Sequence, residues 1–118
     1  MKPYDIKERT FEFANRIIDL VEEMPQTRTF DVLARQLIRA GTSVGANVEE
    51  AHAADSKADF AFKLSIALRE ARETRYWLRI AMRRRQEVIG HLQDLINEAE
   101  EIMKILGSII SKVRSRSS

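Results

Sequence analysis

Apolar positions recur at helical spacing through most of the 118-residue chain, and turn signals divide them into four segments. From about Asp5 to Met24, Phe11, Ala14, Ile18 and Val21 repeat at heptad spacing, and Ile17, Leu20 and Met24 widen the stripe. Pro25 closes this segment, because the residue before a proline avoids the α region. A second helix is expected from Thr27, an N-cap residue type, to Ala53, with Leu33, Leu37, Ala40, Val44 and Ala51 on one stripe. Ile38, Gly41, Gly45 and Val48 form an adjacent ridge. A turn follows, and Ser56 with Asp59 three residues on resembles a capping box for a third helix over 57–84. A fourth helix is expected over 88–113, where Leu92, Leu95, Ala99, Ile102, Leu106, Ile109 and Val113 keep a heptad. Long amphipathic helices with short links predict an all-α, antiparallel up-down four-helix bundle. It would be one domain over residues 1–118, with 114–118 as a frayed basic tail.

Two segments depart from simple amphipathic helix. Residues 40–47, AGTSVGAN, are nearly bare of side chains, and each glycine inside a helix costs about 1 kcal/mol relative to Ala. The stretch keeps the register of its flanks, so a continuous helix is expected. Gly41 and Gly45 would then let a neighbouring helix, or a large side chain such as Trp77, approach the backbone closely, with dispersion contacts offsetting the lost propensity. Ser43, Asn47 and Glu50 recur at helical spacing beside them, and hydrogen bonds to the third helix or to another subunit are expected, because buried Asn and Glu require partners.

The third helix carries two apolar faces. At ~100° per residue, Phe60, Leu64, Ala67, Ala71, Thr74 and Leu78 fall on one side. Phe62, Ile66, Trp77 and Ile80 fall nearly opposite. One small bundle cannot bury both, so the second face is expected at a subunit interface. Between the faces lies an arc of Arg72, Arg75, Arg79 and Arg83, continued by Arg84 and Arg85.

Charge sharpens this picture more than composition does. The formal net charge is only +2. Residues 69–85, however, hold seven Arg against Glu70 and Glu73, while residues 86–111 hold five acids against Lys104. Guanidinium groups suit phosphate, because the planar fork donates two hydrogen bonds and keeps its charge. The arc therefore predicts RNA or DNA contact, against the alternative that its arginines pair with Glu98, Glu101 or acids of a neighbouring subunit. With no aromatic expected to interleave with the arc, binding would be largely independent of base sequence. With 32% charged and 7% aromatic residues, the composition suits a helical soluble chain. The chain has no cysteine, the N-terminal residues lack the apolar stretch of a secretory signal, and no run approaches a membrane span. A cytoplasmic location with no membrane contact is expected.

Candidate enzyme chemistry is sparse. Glu49 and His52 form a single Glu-x-x-His where a di-metal bundle requires two, and His91 has no matching acid three residues before it. No metal, cofactor or small-molecule substrate is expected. Glu70-x-x-Glu73 and Glu98-x-x-Glu101 resemble the acidic pairs of Mg²⁺-dependent all-α nucleotide pyrophosphohydrolases, which is the enzyme alternative. Ser43 has no nearby base to activate it, so no catalytic residue is assigned.

Residues 36–78, QLIRAGTSVGANVEEAHAADSKADFAFKLSIALREARETRYWL, carry a family resemblance. Ser43 to Ala51, then Ser56 with Asp59-Phe60, then Leu64 to Ala67 leading to Glu70-Ala71, Glu73-Thr74 and Tyr76-Trp77-Leu78 follow in order. In this pattern the chain resembles the four-helix-bundle proteins first noticed in intervening sequences of bacterial 23S rRNA genes, over roughly residues 5–113. It departs from many members, which carry Pro-Ser-Asn and a later Gly-Arg, at Gly45-Ala46-Asn47 and between Ala51 and Asp55. The resemblance implies a ring-shaped homopentamer without enzymatic activity, similar to the nucleic-acid-associated accessory protein of diversity-generating retroelements. The expected partners are thus other copies of the chain, and RNA, DNA or a nucleoprotein. A purely structural oligomer is the alternative.

Overall fold

Four helices make up nearly all of the computed structural model, which describes residues 5–84 and 91–117. They are α1 (Ile6–Glu22), α2 (Arg28–His52), α3 (Lys57–Arg84) and α4 (Leu92–Ser117). Their starts follow local chemistry. Asp5 accepts from the Glu8 amide at 3.2 Å, Thr27 from the Phe30 amide at 3.2 Å, and Ser56 from the Asp59 amide at 3.1 Å. Val88, the expected start of the fourth helix, and Arg85 lie outside the described residues. The far end of α4 differs from expectation, since the tail expected to fray continues the helix to Ser117. Arg114 and Arg116 complement the negative end of the helix dipole there, and Ser115 Oγ donates to the Lys112 carbonyl at 3.1 Å.

Among the described residues each helix packs on two neighbours: α1 on α2 and α4, and α3 on α2 and α4. The core between them is built from Phe13, Ile17, Leu20, Leu37, Val44, Val48, Leu64, Leu78, Ile102 and Leu106. The inward stripe of α3 is mostly small: Ala61, Leu64, Ala67, Ala71, Thr74, Leu78 and Ala81 are buried. Short side chains let its neighbours come close, and Thr74 satisfies its hydroxyl by donating to the Glu70 carbonyl at 2.7 Å.

The rotation of α1 corrects the sequence expectation. Its inward ridge is Ile6, Thr10, Phe13, Ile17 and Leu20, whereas Phe11 and Ile18 of the expected heptad are exposed. The inward ridge is longer and extends to Met24, so it buries more apolar surface than the alternative.

The rotation of α1 also explains the glycines. A Cβ on Gly41 would lie 3.0 Å from Ile17 Cγ1, and one on Gly45 would lie 3.2 Å from the Thr10 carbonyl oxygen. The neighbour at both glycines is α1, not Trp77. Ser43 and Asn47 do not reach another helix. Ser43 Oγ donates to the Arg39 carbonyl at 2.6 Å and Asn47 Nδ2 to the Ser43 carbonyl at 2.8 Å, both within α2. Short polar side chains bond back to the carbonyl four residues earlier when no outside partner is nearer. Glu50 is exposed.

Across the bundle, Arg9 of α1 forks onto Glu98 of α4, with Nε donating to Oε2 at 2.7 Å and Nη2 to Oε1 at 2.8 Å. The pair is half-buried, and the hydrogen bonding raises the Arg9 pKa above its ordinary value. The raised pKa means that the stability gained by the Arg9 guanidinium is fully present below its ordinary pKa and is lost as pH rises through the raised value, in the strongly alkaline range.

Two outcomes follow from this packing. Gly45→Leu should lower stability by about 1–3 kcal/mol, because the backbone of Thr10 cannot yield to the new side chain. Gly107→Ala should raise it by about 0.5–1 kcal/mol, since nothing lies within 4 Å of the added Cβ. Urea denaturation of both variants checks the contrast. Separately, Arg9→Met should cost about 1–3 kcal/mol in the same measurement, by stranding Glu98.

Candidate nucleic-acid interface

With the stripe from Ala61 to Ala81 buried, the helical period decides which residues of α3 face outward. The apolar residues expected at a subunit interface divide. Phe62 is 57% exposed, whereas Trp77 and Ile80 are half-buried and pack on the edge of the core. Ile66 is also half-buried. Trp77 Nε1 donates to Glu73 Oε2 at 3.0 Å. Glu73 is also bound by Arg39 Nη2 of α2, and Arg39 Nη1 lies 3.3 Å from Glu70 Oε1. Arg39 thus neutralises both acids that fall within the basic segment.

The arginine arc divides as well. Arg75 turns toward α4 and lies 3.5 Å from Glu100 Oε2. Arg72, Arg79, Arg83 and Arg84 are exposed and have no ion pair among the described residues. The acids that could have neutralised them are engaged elsewhere: Glu98 with Arg9, and Glu101 with Lys104 at 3.5 Å. Arg85 lies outside the described residues. Two shallow depressions run between α3 and α4 beside this strip. One, of about 490 Å³, is lined by Arg72, Arg75 and Lys104, and the other, of about 440 Å³, by Arg79, Arg83 and Gln93. Glu100 borders both.

Two residues belong to this strip that the sequence reading left out. Arg69 is exposed one heptad before Tyr76. Tyr76 itself is 55% exposed, four residues after Arg72 and three before Arg79. The expectation that no aromatic interleaves with the arc therefore fails, and i, i+4 spacing is the signal that could have placed Tyr76 there.

The carboxylates considered for metal-dependent hydrolysis do not meet. Glu70 and Glu73 are held by α2, Glu98 by α1, and Glu101 by its own helix. Glu49 lies 3.7 Å from Lys7. His52 Nδ1 sits 2.9 Å from the Val48 carbonyl, which fixes its proton on that nitrogen, and its ring meets Phe60 edge-on. A depression of about 430 Å³ between the end of α1 and the start of α4 mixes Asp19, Glu22 and Glu23 with Arg16 and His91. Among the described residues no cluster of His, Asp and Glu is arranged to hold a metal ion, and no helix is long and apolar enough to cross a membrane.

The comparisons with known proteins agree with the arrangement of four helices. A crystal structure of a protein of unknown function from the S23 ribosomal protein family of Bacteroides thetaiotaomicron superposes with a TM-score of 0.81 at 42% identity. The match covers 89% of this chain and 97% of that one. No curated protein matches. The family model described as 23S rRNA-intervening sequence protein matches residues 2–108, and the chain belongs to that family.

Proposed function

We propose that this protein is a non-enzymatic, cytoplasmic homo-oligomeric bundle that binds RNA, DNA or a nucleoprotein through the exposed arginines of α3. The observation that carries the reading is selective pairing. Arg9, Arg39 and Arg75 each have a carboxylate, whereas Arg72, Arg79, Arg83 and Arg84 share one outward region and have none among the described residues. Unpaired cations held side by side repel one another, and a polyanion relieves that repulsion while releasing its own counterions.

The oligomer rests on the apolar residues that the single chain leaves outside. Phe62 on α3 joins Phe11, Ile18, Val32 and Ile38 as exposed large side chains, an arrangement that suits contact with other copies in a ring-shaped assembly of antiparallel up-down bundles. A pentamer is the favoured number. In a ring the arginine region is repeated, and modest single contacts add through avidity. A purely structural oligomer is the second reading, favoured by those same apolar side chains.

Light scattering on the native protein should give several times the 13.6 kDa of one chain, and a monomer at micromolar concentration would contradict the assembly. The nucleic-acid role is tested by mobility shift on a generic RNA across a salt series. Replacing Arg79, Arg83 and Arg84 together with Gln, in an oligomer of unchanged mass, should weaken binding for all sequences. It should also flatten the slope of log K against log salt by about 2, at ~0.7 per lost contact on a single strand. Unchanged affinity would leave the structural reading in place.

A further inference from the structure

The strip on α3 is not simply basic. Arg72 and Arg79 flank Tyr76 at one helical turn on either side, and Arg69 and Arg83 lie one heptad from the same ring, before and after it. All four arginines are exposed, and none has an ion pair among the described residues. An exposed aromatic ring at the centre of a line of guanidinium groups has a specific meaning for a nucleic acid. Arginine contacts phosphate on paired and unpaired strands alike. A tyrosine face gains only from a base whose own face is free, and in a duplex every internal base is already stacked on both sides.

The ring is also held. It makes a T-shaped contact with the Trp77 ring, at a centroid distance of 5.3 Å and 71° between planes. Trp77 is fixed by Glu73, and Glu73 by Arg39 of α2. This chain of contacts orients the platform from the neighbouring helix. It also turns the Glu73 charge toward Arg39. From Arg69 to Arg83 the strip is roughly 21 Å long at about 1.5 Å per residue, the length of about six stacked nucleotides at ~3.4 Å each.

We infer that Arg69, Arg72, Tyr76, Arg79 and Arg83 form a stacking platform for an unpaired nucleic-acid strand, with one base on the Tyr76 ring and phosphates on the flanking arginines. The inference rests on the nucleic-acid reading above and narrows it from polyanion in general to single strand. The groups recognised are the base face and the phosphate, which RNA and DNA share.

The test uses the full-length protein with three probes, oligo(rU), oligo(dT) and a mixed-sequence duplex of the same length, at fixed salt. Binding is followed by anisotropy of labelled strands and by the fluorescence of Trp77, the only tryptophan, which touches the platform. Tyr76→Ala should weaken single-strand binding by about 5- to 100-fold and change duplex binding by less than about twofold, while Tyr76→Phe keeps the ring and should keep affinity. A single strand should alter Trp77 emission more than the duplex does. Comparison of oligo(rU) with oligo(dT) reports whether the sugar contributes. Equal loss on single strand and duplex, or no loss on either, would overturn the platform while leaving arginine-mediated binding intact. Loss of oligomeric mass in Tyr76→Ala with its retention in Tyr76→Phe would assign this face to a second copy of the chain and overturn the platform. Failure of the native protein to bind any probe at low salt would remove the underlying nucleic-acid reading as well.

Discussion

The burial of one narrow stripe on α3 is the constraint on which the rest of the outer surface depends. Ala61, Leu64, Ala67, Ala71, Thr74, Leu78 and Ala81 fix the rotation of a 28-residue helix against both neighbours. Most of these residues are small, so each contributes little apolar area by itself. Their value lies in close approach, which draws the larger Leu and Ile side chains of α2 and α4 into contact over the whole length. Once that rotation is set, helical geometry puts Phe62, Arg69, Tyr76 and Arg83 on one outward heptad line, with Arg72 and Arg79 beside it. Turning the helix by one residue would bury arginine, at a cost no apolar gain in a domain of this size could offset.

A second selection acts through ion pairs. The chain has nearly balanced charge, with 20 basic and 18 acidic side chains, yet the balance is not local. Glu70, Glu73 and Glu98, the acids on or near the path of the basic strip, are each bound by an arginine of another helix. The two pairs made by the exposed Arg39 add little stability. Their larger consequence is electrostatic: with those carboxylates neutralised, the remaining guanidinium groups of α3 present an uncompensated field toward solvent. Packing and this surface are linked, since Arg39 both ties α2 to α3 and binds the Glu73 that accepts from Trp77, whose ring contacts Tyr76.

Much of the four-helix pattern was legible in the sequence because each helix repeats a strong apolar period and three N-caps are of standard residue types. Less legible was the choice between two competing ridges on α1. Phe11, Ala14, Ile18 and Val21 keep the cleaner heptad, but the ridge of Ile6, Phe13, Ile17, Leu20 and Met24 is longer and is the one that the partners across the bundle bury. The bare stretch around Gly41 and Gly45 signalled close approach but not its partner, since nothing in spacing says that Ile17 and Thr10 lie opposite. Pairing of Arg9 with Glu98, 89 positions apart, has no sequence signature either. Ser43 and Asn47 misled for a simpler reason, because their own helix offered acceptors nearer than any neighbour. Tyr76 is legible from spacing alone, since one helical turn separates it from both Arg72 and Arg79.

Photo-crosslinking tests most directly the claim that the outward strip of α3 receives nucleic acid. A single strand carrying 5-iodouracil reacts with an aromatic ring stacked on the base, and trypsin releases Tyr76-Trp77-Leu78-Arg79 as one short peptide. The account predicts that the crosslinked mass is found on this peptide, on Tyr76, and that it is displaced by excess unlabelled single strand. Crosslinks confined to peptides of α1 or α4, with residues 76–79 recovered unmodified, would contradict it.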